Sequence, residues 1–125
     1  MTKDFQASKP IYIQIADHIA YQIVRGEIKI GEKLPSVREM AIHSGVNPNT
    51  IQRTYSELEK MEIVEIKRGQ GTFVREEEEI IENLKVQLQK EVISDFVKNM
   101  RDLGLTREEM EKGVQDFLRR REDGD

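Results

Sequence analysis

The chain has 125 residues, a formal net charge of −4 and no cysteine. That length allows one compact domain, or a small domain with an appendage, and the missing cysteines exclude disulfides, thiolate metal sites and cysteine catalysis. No apolar run approaches the roughly 20 residues that span a bilayer, and MTKDFQASKP has no apolar leader core, so the expectation is a soluble, cytoplasmic protein.

Pro10 opens the first helical pattern. Tyr12, Ile15, Ala16, Ile19 and Ile23 recur at three- and four-residue steps, and Gly26 is placed to stop the helix. GEIKIGEKLP then reads as a loop punctuated by Gly26, Gly31 and Pro35. Ser36 and Glu39 have the S-x-x-E spacing of a capping box, and Val37, Met40 and Ala41 give the short helix behind it an apolar side. Gly45 ends that helix in a tight turn. Asn47-Pro48 starts a third helix, with Asn as the N-cap and Pro at the first helical position, where no N–H is lost. Ile51, Tyr55, Leu58 and Met61 continue along one side. Three helices with a short Gly-containing turn between the second and third outline a helix-turn-helix, about residues 37–56.

From Glu62 the period changes. EIVEIK and TFV are β-branched and aromatic, and RGQG lies between them, so about 62–75 reads as a hairpin, the wing of a winged helix-turn-helix. Glu76 to Glu79 is an acidic run, ordinarily a solvated segment, and it stands where a helix dipole favours negative charge. The helix behind it carries the stripe Ile81, Leu84, Leu88, Val92, Phe96 and Met100, runs to about Leu103 and closes at Gly104. Thr106 and Glu109 repeat the capping-box spacing before a last helix with Met110, Val114, Phe117 and Leu118, and RRREDGD is expected to fray. The fold class is therefore mainly α with a small β-hairpin. A winged helix-turn-helix over residues 9–77 is followed by a two-helix region over 78–125.

No catalytic constellation appears. His18 and His43 lie in separate helices with no second His or Cys at ligand spacing, and each is better read as a structural histidine. RGQG sits between strands, not before a helix, so it is no phosphate-cradling loop. The expectations are no enzyme activity, no metal and no cofactor.

The third helix carries the functional signal. At about 100° per residue, Tyr55 and Leu58 fall within about 40° of Ile51 and form a core face. Asn49, Arg53 and Ser56 fall opposite, Thr50 and Gln52 flank them, and Asn47 is the cap. Guanidinium, amide and hydroxyl groups near a helix N-terminus are what a recognition helix presents to base edges. A plain solvated face has the same composition, so the flanks matter. Ser36 sits at a helix start suited to a phosphate, and Arg38 is exposed close by. Lys67, Arg68, Gly69 and Gln70 form the hairpin tip. The plainer readings are a surface ion pair for Arg38 and aggregation-blocking edge charge for Lys67 and Arg68. Charge is also uneven: residues 1–74 hold 10 Lys+Arg and 9 Asp+Glu, whereas 75–125 hold 10 and 15. The acid of the second half masks a near-neutral first half, which leaves room for a local basic face.

The stretch from Lys9 to Val74 resembles the DNA-binding domain of the GntR family of bacterial transcription regulators. The resemblance is carried by Gly31, Leu34, Pro35, Ser36, Arg38, Met40 and Ala41, then Asn47, Pro48, Thr50, Ile51 and Arg53, then the wing residues Gly69, Gly71, Thr72, Phe73 and Val74. It implies operator contacts from Arg38, Asn47, Asn49, Thr50, Arg53 and Gly69. Many members carry Arg directly after the helix cap; Pro48 stands there, which implies a different operator. The short C-terminal half resembles the YtrA-type subfamily, whose paired helices dimerise. Two helices cannot easily enclose a metabolite pocket, so no small-molecule effector is expected. A lone stripe from Ile81 to Met100 would expose too much apolar surface, which points to burial against the last helix and against a second copy. The reading is a homodimeric, sequence-specific DNA-binding regulator, expected to be a repressor on a near-palindromic operator, with transporter genes among the targets the resemblance implies. The alternative is a winged-helix protein–protein interaction module.

Overall fold

Pro10 caps the first helix without donating a hydrogen bond, and its carbonyl accepts from the N–H of Ile13 and Gln14. The computed structural model describes residues 9–124, with side chains through Arg121; residues 1–8, on which the leader expectation rests, lie outside it. Helix α1 spans Ile11–Val24, α2 Val37–Ser44 and α3 Pro48–Lys60. Strands β1, Val64–Lys67, and β2, Gly71–Val74, follow, and then α4, Glu78–Asp102, and α5, Arg107–Gly124. The described chain divides into two units, residues 9–85 and 86–124. The compact winged body thus runs eight residues past the boundary expected at 77, because the first turns of α4 belong to it.

In the first unit α3 packs against α1, α2 and β1. Ile15, Ala16, Ile19 and Ile23 of α1 meet this core, as do Ile51, Tyr55 and Leu58 of α3, Leu34, Ile63, Val64 and Val74. Thr54 is buried as well. Its hydroxyl is shared between two carbonyls, 2.9 Å from that of Thr50 and 3.2 Å from that of Tyr12, so α3 is tied to the first turn of α1. The Tyr55 hydroxyl crosses the core to donate to the Pro35 carbonyl at 2.7 Å. Burial, with the Glu39 carboxylate as a lesser contributor, pushes that hydroxyl far above its ordinary range, so it stays a donor.

The α3 terminus departs from the usual chemistry. Glu62 takes a left-handed conformation, φ 66°, where glycine is favoured. The Ile63 N–H bonds the Leu58 carbonyl and the Glu62 N–H that of Glu59, a Schellman closure that places Ile63 back against the core. The hairpin pairs Val64 with Val74 and Lys67 with Gly71. One strand-like segment was missed by the sequence reading. Lys33 bridges Phe73, Gly31 N–H bonds the Val74 carbonyl, Val74 N–H that of Glu32, and Leu34 N–H that of Thr72. The segment expected to be a loop therefore forms a third edge of the wing.

Ile81 and Leu84 are buried, whereas Leu88, Phe96 and Met100 are half-buried and Val92 is exposed. Ile81 and Leu84 are thus largely covered within one chain, and Leu88, Val92, Phe96 and Met100 are the stripe residues that keep more exposed surface. In the second unit Thr106 and Glu109 make the expected box at 2.8 and 3.2 Å. Helix α5 continues to Gly124 rather than fraying at Arg119. Arg and Glu are good helix formers, and Arg121 in the last turn suits the dipole.

Candidate nucleic-acid interface

The turn between α2 and α3 is closed by Gly45, φ 69°, whose N–H returns to the Ile42 carbonyl. Asn47 Oδ1 accepts from the Asn49 N–H at 2.7 Å, so the cap is made as expected, and the Asn47 amide NH2 is not used by that bond. Asn49, Gln52 and Arg53 are exposed and Thr50 is half-buried. The core residues Ile51, Tyr55 and Leu58 turn this face away from the body.

Ser36 is exposed at the α2 start, but its N–H donates to Glu39 Oε1 at 3.0 Å and its Oγ accepts from the Glu39 N–H at 3.1 Å. These bonds hold the Glu39 carboxyl below its ordinary value. The box therefore contributes at neutral pH and is lost as pH falls through that lowered value. A carboxylate already occupies the terminus where the sequence suggests a phosphate. Arg38, one turn in, is exposed.

At the wing, Lys67 Nζ lies over the Phe73 ring, 4.9 Å from its centroid. Arg68, Gly69 and Gln70 form the exposed tip, with Gly69 at φ 79°. Lys33 was not anticipated. Its side chain runs across Gly71 so closely that a Cβ there would lie 2.6 Å from Lys33 Cε. No local signal marks Lys33; only its pairing with Phe73 brings it to the wing. Gly71→Ala is accordingly expected to lose on the order of 1–3 kcal/mol through its positive φ of 127°. It should also displace Lys33 and flatten the salt dependence of DNA binding. Denaturant unfolding and a salt titration check this, and an unchanged midpoint with an unchanged slope would refute it.

The cations of this surface are left open, whereas several elsewhere are paired. Lys9, Arg25, Lys60 and Arg75 of the first unit, and Lys98, Arg107 and Lys112 of the second, all pair with carboxylates. Among the described residues, Lys33, Arg38, Arg53, Lys67 and Arg68 form no ion pair. The plainer reading of Arg38 as a surface ion pair therefore fails. Elsewhere, His18 and His43 line one groove between α1 and α2 with Gln22, Lys33 and Glu39. No group of three metal-ligating side chains exists among the described residues, and no described helix is long and apolar enough to cross a membrane.

A helix-turn-helix with a wing, a polar recognition face and unpaired cations on both is the architecture of a DNA-binding transcriptional regulator. Residues 11–74 match the family described as bacterial regulatory proteins, gntR family. The chain is 61% identical over 117 residues to the HTH-type transcriptional regulator YhcF of Bacillus subtilis (strain 168), covering 94% of this chain and 97% of that one. It is 34% identical over 116 residues to the HTH-type transcriptional repressor YtrA of the same organism, covering 91% and 88%. A solved GntR family transcriptional regulator from Listeria monocytogenes superimposes with a TM-score of 0.82 at 42% identity, covering 90% of this chain and 98% of that one. The chain belongs to the GntR family, on its YtrA-like branch.

Proposed function

We propose that the chain acts as a homodimeric repressor that reads a near-palindromic operator, with transporter genes among its targets. The observation that carries the DNA part is the set of cations on α2, α3 and the wing that lack carboxylate partners and accompany the outward polar side chains of α3. Cations left open in this way release counterions when they meet phosphate. The outward amides and hydroxyls of α3 then supply sequence reading. Repression is supported by the kinship with a relative named as a repressor; the transporter targets rest on the family resemblance. A protein-docking winged helix would instead present a flat apolar outward face, and Asn49, Gln52 and Arg53 do not make one.

The second unit supports the dimer. Val92 is 55%, Leu103 74%, Phe117 62% and Leu118 57% exposed. Apolar side chains left open at this density are ordinarily covered by a partner, and the proposed cover is a second copy. A two-fold dimer then requires half-sites about one helical turn apart. Selecting bound fragments from the source genome should enrich an inverted repeat of that spacing, and an enriched site without symmetry would count against the dimeric reading. Leu88→Asp should yield a monomer in sedimentation; a variant that stays dimeric displaces the seam from α4.

A further inference from the structure

The guanidinium of Arg53 sits over the ring of Tyr12, 4.1 Å from its centroid. Arg53 lies on the outward face of α3, and Tyr12 lies in the first turn of α1, 41 positions earlier in the chain. We infer that Tyr12 is a positioning residue for Arg53, fixing the guanidinium in its DNA-reading pose before DNA arrives. The inference rests on the proposed role of Arg53 in DNA binding.

Three features converge on it. The backbone that carries the ring is held beside α3, because the Thr54 hydroxyl is shared between the Tyr12 and Thr50 carbonyls and ties the two helices together. The cation has no competing hold: among the described residues Arg53 makes no ion pair and no hydrogen bond to the protein, so its N–H donors remain open to an incoming acceptor. The cleft beside it is lined by Tyr12, Gln52, Arg53, Ser56, Glu57 and Lys60. Within it Glu57 pairs with Lys60 at 3.8 Å and not with Arg53. An aromatic face attracts a guanidinium without using its N–H groups. The long side chain is thereby ordered in advance, and binding loses less rotamer freedom than it would with a loose arginine.

The test uses the full chain and the enriched operator fragment, beside an unrelated duplex of equal length. Tyr12→Leu removes the ring face, Tyr12→Phe keeps it, and each is also made with Arg53→Ala. Tyr12→Leu should weaken operator binding roughly 5-fold, the scale of an exposed cation–π contact. Tyr12→Phe should bind as the parent does, and Tyr12→Leu should add nothing in the Arg53→Ala background. Additive losses, or a Tyr12→Phe as weak as Tyr12→Leu, overturn the inference. If Tyr12→Leu folds poorly, Tyr12→Trp replaces it and should hold or improve affinity; a clear loss there also overturns it. Independently of DNA, the Arg53 Nε–H proton should show an upfield ring-current shift in the NMR spectrum that Tyr12→Leu abolishes and Tyr12→Phe retains. A shift that behaves so while no duplex is bound selectively would remove the DNA role and leave only the stack. Absence of the shift would remove the stack itself.

Discussion

Truncating Tyr55 to alanine is expected to lower folding stability by about 3–5 kcal/mol, the range for removing a large buried ring. Tyr55 is 2% exposed and stands where α3 meets the segment leading into α2. The ring fills the core beneath the helix-turn-helix, and its hydroxyl satisfies the Pro35 carbonyl at 2.7 Å. Tyr55→Phe separates the two contributions. It keeps the ring and leaves the carbonyl unpaired, which should cost about 1–3 kcal/mol. The phenylalanine variant should also loosen Pro35 and Ser36, and with them the start of α2. Urea unfolding of both variants checks the ranking. An alanine variant no less stable than the phenylalanine one would mean that the ring contributes no packing.

Arg38→Ala and Arg53→Ala are expected to weaken specific operator binding by about 1–3 kcal/mol each if the contact is bidentate to a base. A contact to phosphate would instead lower affinity on every sequence and reduce the salt slope by about one. Neither side chain is held by a carboxylate, so neither substitution strands a buried partner, and thermal stability should scarcely change. Fluorescence anisotropy at several salt concentrations, on operator and unrelated duplex, distinguishes base from backbone. Unchanged affinity and unchanged slope for both variants would remove α2 and α3 from the interface.

What the sequence made legible follows from range. The capping boxes at Ser36 and Thr106, the Asn47-Pro48 start and the Gly45 turn are each set by residues within four positions, and all four form as read. The core face of α3 is equally local. What escaped depends on distant partners. Gly31–Leu34 has the composition of a loop and becomes an edge only through β2, about forty residues on. Lys33 joins the wing by that route, and Arg53 meets Tyr12 by a similar one. The stripe on α4 shows the converse. Its period was plain, but periodicity does not say which surface covers which residue, and Ile81 and Leu84 are buried within their own chain.

The edge formed by Gly31–Leu34 also bears on engineering. A hairpin that paired only with itself could be exchanged between related regulators as a cassette of residues 62–75. Here the outer strand hydrogen-bonds a segment ahead of α2, and the Lys33 side chain lies across Gly71. A transplanted wing would arrive without its matching edge, and α2 would lose its anchor on the entry side. A chimaera built to retarget this regulator must therefore move the two stretches together, so specificity drawn from the wing is inherited as a discontinuous pair.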